Sequence, residues 1–312
     1  MLTLLTSVLS VLIAQDPASN VQDVPATQVD EIIVNGVPVR PAAEAFVRTV
    51  GAPAPGRKAA TWADGICVGV GGMAQEPAQY VVDRISDWAG SLGLSVGEAG
   101  CRPNIFVVAT DDGDATARAL VAARPRDFRT GVADSDPGSR SLEAFQSSGR
   151  PIRWWHVSLP VDADSGRPVR RLPGQMPLNI GETITRPSSL MGYGETVTAS
   201  RIRDETRDDL MQVIIVLDSD ALDQADFVQI TDYMAMVALA QINPDAVPAG
   251  PSILRLFVPG EAHEPTMTRW DRAYLEALYT ADQSYASQSA NEETIALLMA
   301  RRVAQGEAGA DE

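Results

Sequence analysis

Lysine occurs once in the 312 residues, at Lys58, and histidine only twice, at His156 and His263. Two histidines exclude a three-histidine zinc site, and a lone early lysine excludes any chemistry that needs a lysine late in the chain. Cysteine is as scarce. Cys67 and Cys101 are the only two, too few to hold a metal by sulfur alone, and a cysteine nucleophile would need a histidine that their half of the chain lacks. Positive charge is short as well: 25 Lys and Arg face 41 Asp and Glu, for a formal net charge of −16. Nucleic acid and anionic membrane surfaces are therefore excluded as partners, because phosphate contacts need clustered cations. Beyond residue 14 no run approaches the roughly 18 apolar residues of a membrane span, so none is expected in the mature chain.

What is present suits a folded protein, with 45% hydrophobic and 21% charged residues. Residues 1–14 are apolar and uncharged, end in Ala14 before Gln15-Asp16-Pro17, and read as a secretory signal peptide. The mature chain is then periplasmic or secreted. Residues 15–57, rich in Pro, Ala and Asp and closing on Ala52-Pro53-Ala54-Pro55-Gly56, read as a flexible N-terminal segment. Within it Asp30 to Gly36 is expected to form a short edge strand. The domain proper is expected over 58–285. Residues 286–312 should form a C-terminal helix, Asn291 to Gln305, and a disordered tail.

Each cysteine borders an apolar run, Ile66 to Val70 and Ile105 to Val108, and Tyr80, Val81, Ile85, Trp88 and Leu92 between them have helical spacing. This predicts a strand-helix-strand unit. Two cysteines in an exported chain are expected to pair, and closing that loop would contribute about 3 to 4 kcal/mol in the chain-entropy view. Gly69-Val70-Gly71-Gly72 has its third glycine misplaced for a dinucleotide fingerprint and reads as a turn. Thr110 to Asp114 reads as a helix-capping cluster rather than a cation site. Residues 124–150 read as a surface loop around a short helix, Ser141 to Gln146. Ile152 to Leu159 reads as a strand, with one of Trp154 and Trp155 in the core and the other partly exposed. His156 on that strand reads as structural. Asp162 to Gly166 reads as a hairpin turn returning over Pro168 to Leu172. Residues 173–205 are punctuated by Pro and Gly, with a turn at Met191 to Gly194 and a strand at Glu195 to Arg203.

The most informative stretch is 213–279. Val213 to Leu217 is a buried strand bounded by Asp218-Ser219-Asp220; Phe227, Ile230, Met234 and Val237, with Met236 and Leu239 beside them, make a helix apolar around most of its girth. A turn at Ser252-Ile253-Leu254 follows. Thr268-Arg269-Trp270-Asp271 then has capping-box spacing and opens a helix to Tyr279. This order resembles the C-terminal half of zincin-type metalloproteases, and in particular uncharacterised secreted bacterial zincin-like proteins. The resemblance implies an α+β, zincin-like fold: a mixed sheet, a central buried helix and C-terminal helices. Laying Ile230 to Met236 on the H-E-x-x-H motif of that family puts Asp232, Tyr233 and Met236 at the motif positions, with Ile242 at the further ligand position. A carboxylate and a thioether are a poor set for zinc. No metal, cofactor or catalytic residue is therefore expected. The resemblance implies a non-catalytic exported protein, acting on an unknown protein or peptide partner in the cell envelope. The alternative is a hydrolase, such as a haloacid-dehalogenase-like phosphatase using Asp218 and Asp220, although the downstream lysine of that chemistry is missing. If the ligand positions are obsolete, Met236 should be buried, and Asp232 should reach solvent or an arginine.

Overall fold

Three runs of apolar residues make the parallel part of a four-stranded sheet, and the run Val213 to Leu217 is continuous rather than alternating because it is buried on both faces. The computed structural model describes residues 33–34, 37–54, 56–129, 136–169, 206–222, 225–282 and 287–308. A two-stranded ribbon, β1 (Ile33–Val34) and β2 (Val37–Pro38), precedes helix α1 (Val39–Val50). Then come β3 (Val68–Gly71), α2 (Gln75–Ser91), β4 (Ile105–Thr110), α3 (Gly113–Ala123), α4 (Pro125–Phe128) and α5 (Ser139–Ser147). Strands β5 (Ile152–Asp162) and β6 (Thr206–Asp218), then helices α6 (Phe227–Leu239), α7 (Arg269–Thr280) and α8 (Gln288–Ala308), complete the order.

The sheet order is β3-β4-β6-β5. β3, β4 and β6 run parallel, and β5 lies antiparallel on β6. The fold is thus mixed α and β with a mixed sheet. Side chains alternate across β6: Val213, Ile215 and Leu217 enter the main core with α1, α2, α6, α7 and α8, while Ile214 and Val216 enter a second core. The second core holds Ala117 of α3, Phe128 of α4, Phe145 of α5, and Trp155 and Val157 of β5. Helices therefore cover both faces. Trp154 and Trp155 are in consequence both buried, one in each core, which corrects the expectation that one is partly exposed. The short helix expected at Ser141 to Gln146 forms as α5, and its Phe145, with Phe128 of α4, is buried in the second core rather than lying in a surface loop.

The strand-helix-strand unit forms as the sequence predicts, and Cys67 and Cys101 are bonded, with Cα atoms 6.1 Å apart. Gly72, at φ +78, ends β3 where an added Cβ would sit 2.0 Å from the Ala109 carbonyl oxygen, so the turn admits no side chain. The expected boundary after residue 57 is corrected by α1. Val39, Ala43, Phe46, Val47 and Val50 are buried at helical spacing, and Pro41 falls in the first turn, where a missing N–H costs little. α1 packs against α8, whose Ile295, Met299 and Val303 belong to the same core, so both helices are part of the domain. The expected signal peptide at 1–14, most of the hairpin's return strand, the segment 173–205 and the last residues of the tail lie outside the described residues. Among the described residues no helix is long and apolar enough to cross a membrane.

Candidate functional site

Helix α6 starts with a capping box, in which the Asp226 side chain accepts from the Gln229 backbone and the Gln229 side chain accepts from the Asp226 N–H. From Gln229 to Leu239 every residue is buried. Met236 is fully buried and Ile242 is 1% exposed. Tyr233 is wedged between two rings, Trp154 at 5.9 Å and Phe257 at 5.3 Å between centroids, both edge-on. Burial raises its pKa above that of an ordinary phenol. Trp154 donates from Nε1 to the Ile242 carbonyl at 3.0 Å. His156, also buried, donates from Nε2 to the Val237 carbonyl at 2.8 Å; since a carbonyl only accepts, the proton sits on Nε2. Burial holds the His156 pKa down to about 4. The space around Tyr233, Met236 and Ile242 is thus filled by aromatic and aliphatic side chains.

Asp232 carries a full set of donors. Arg84 of α2 grips it in a fork, Nε to Oδ1 at 2.7 Å and a terminal nitrogen to Oδ2 at 2.9 Å. Trp88 Nε1 at 2.8 Å, the Met267 N–H at 2.9 Å and the Thr266 hydroxyl complete the set. Burial pushes the carboxyl pKa up, and the bonds from Arg84, Thr266, Met267 and Trp88 outweigh it, so the net direction is down. Arg84 and Arg272 each sit 5.3 Å from the Trp88 ring, making cation-π contacts. Of the expected outlets for Asp232, the structure shows the arginine. Nothing in the sequence marked Trp88, Thr266 or Met267 as partners, since donors 34 to 144 residues away leave no local spacing.

A second buried carboxylate fastens the turn. Asp271 accepts from the Ser252 hydroxyl, the Ile253 N–H at 2.8 Å and the Thr268 N–H and hydroxyl at 2.8 Å each. It therefore closes the predicted capping box of α7 and also clamps the Ser252-Ile253-Leu254 turn; burial pushes its pKa up against these donors.

Asp218 and Asp220 are not brought together. Asp218 ends β6 with Oδ2 accepting from the Gly113 N–H at 2.9 Å and 4.0 Å from Arg153, so it faces the start of α3. Asp220 is exposed in a short 3-10 turn. Among the described residues no group of three or more His, Cys, Asp or Glu is placed to hold a metal ion.

What is open lies elsewhere, at the carboxyl ends of the three parallel strands. A cleft of about 560 Å³ is lined by Gly72 and Met73 after β3, Thr110 and Asp111 after β4, and Leu222 and Phe227 after β6, among others. Strand ends of an open sheet are where ligands commonly bind, because the loops that diverge there leave a crevice. Comparison of the chain with protein-family models, with curated proteins and with solved structures returns no match in any of the three.

Proposed function

We propose that the chain is an exported, non-catalytic binding protein of the cell envelope on a metalloprotease-like scaffold that no longer holds metal. The observation that carries this reading is the state of α6. Its motif positions are occupied by a carboxylate that accepts from five donors, a phenol between two rings and a fully buried thioether, a set enclosed by packing and poor for zinc. The strand, helix, clamped turn and capped helix follow one another in the order that prompted the zincin-like comparison. The Cys67–Cys101 bond supports export, since such bonds persist in oxidising compartments. The remaining cleft, apolar in most of its lining, suits binding. Dialysis of the purified chain against zinc, followed by elemental analysis, should leave far less than stoichiometric metal. Tightly held stoichiometric zinc, or zinc-dependent cleavage of a peptide, would overturn the reading.

A further inference from the structure

Unmatched negative charge lies in and next to the lining of the strand-end cleft. Asp111 lines it, Glu76 lies between the lining residues Ala74 and Pro77, and Asp220 follows the lining residue Ser219. All three are exposed, and among the described residues none makes an ion pair or a side-chain hydrogen bond. Asp112 and Asp226 add two carboxylates, each capping a helix. Among the described residues no lysine or arginine lines the cleft. Elsewhere acidic groups are often matched, as in Glu44 with Arg40, Asp245 with Arg150, and Glu276 with Arg302. The N-terminus of α2 opens here without a side-chain cap. A helix end carries only about half a positive charge, against three full negative ones, so the field is negative.

The walls are apolar: Met73, Pro77, Leu222 and Phe227. The Phe227 and Tyr80 rings pack 5.5 Å apart, yet remain 37% and 39% exposed, and Val228 beside them is 39% exposed. Apolar surface ringed by charge of one sign favours a partner that is apolar in part and of the opposite sign. Arginine and lysine join both properties in one side chain, with an apolar stem and a cation able to rest on an aromatic face. We propose that this cleft docks a cationic, extended peptide segment of a partner protein, in which arginine or lysine alternates with apolar residues. The proposal rests on the binding reading above and adds the chemistry of the partner.

The test uses the full chain and a short fluorescent peptide of alternating arginine and leucine, followed by anisotropy at low and high salt, beside glutamate-leucine and serine-leucine peptides. The arginine peptide should bind best and weaken with salt. Phe227→Ala and the double variant Asp111→Asn, Asp220→Asn should each weaken it about tenfold, whereas Asp164→Asn, at the far end of β5, should leave it unchanged. Binding equally affected by all variants, or by none, would mean diffuse attraction to an acidic chain and would overturn the site. Equal or tighter binding of the glutamate or serine peptide would overturn the charge class while leaving the binding reading intact. No binding by any peptide would overturn the docking proposal, and cleavage of the arginine peptide would overturn the binding reading itself. Near-ultraviolet circular dichroism of each variant checks that these exposed substitutions leave the fold in place.

Discussion

The two ends of α6 live in opposite surroundings. Its first two residues, Phe227 and Val228, are more than a third exposed, and Phe227 lines the strand-end cleft, while the following eleven are sealed in the core. Where a zincin-like reading would place chemistry there is packing, and where the sequence showed no motif there is space. Side chains that fill a site contribute stability, whereas those that edge a cleft contribute little and are free to serve recognition. Substitutions at the two ends should therefore separate these roles.

The largest effect is expected from Asp232→Ala, which leaves Arg84 without its fork partner and the donors of Trp88, Thr266 and Met267 unsatisfied. Losing one partner of a buried ion pair costs about 3 to 5 kcal/mol, measurable by denaturant unfolding. A loss below about 1 kcal/mol would mean water takes over those donors. Met236→Ala should cost about 2 to 4 kcal/mol through lost transfer energy and a residual cavity, and a negligible cost would place Met236 beside open space.

A pH effect should come from His156. Its folded pKa of about 4 lies below the unfolded value of about 6.5, so the unfolded chain binds the extra proton first. The stability from neutral, buried His156 is complete above about pH 6.5 and is lost as pH falls toward about 4, amounting to about 2 to 4 kcal/mol. His156→Gln cannot take up that proton and keeps an N–H for the Val237 carbonyl, so the loss between those pH values should shrink in the variant. An unchanged slope would assign the acid sensitivity to carboxylates. Smallest of all, Phe227→Ala should shift stability by under about 1 kcal/mol, because the ring is already partly in water. A core-sized loss would show that this end of α6 is structural too.

The parts legible in the sequence were those with short-range spacing. The apolar girth of α6, the capping box at Thr268 and Asp271, and the cysteines flanking a strand-helix-strand unit each fit within a few turns of chain. What escaped was long-range or disguised. α1 hid behind Pro41 and its proline-rich surroundings, although Phe46, Val47 and Val50 carried the helical period. Phe128 and Phe145 are single apolar residues in polar stretches, and only the sheet face between them, with Trp155, makes them a core. The cleft is assembled from three loops without a shared motif. Of the run Gly69 to Gly72, read as a turn, only Gly72 leaves the strand; Gly69 to Gly71 lie in β3, and the close approach of Gly72 to Ala109 on the neighbouring strand had no local spacing to announce it.

The pairing of α1 with α8 sets an order of events for the chain. Phe46 packs on Trp270 and Tyr274 of α7, and Arg40 reaches Glu293 of α8 at 3.5 Å across a sequence separation of 253. α1 is therefore covered in part by α7 and in part by α8, helices far from it in the chain, and contacts so remote pay loop-closure entropy before they return anything. A nascent chain lacking α8 has no cover for the part of α1 that packs on it, so this packing is completed only after α8 has been synthesised.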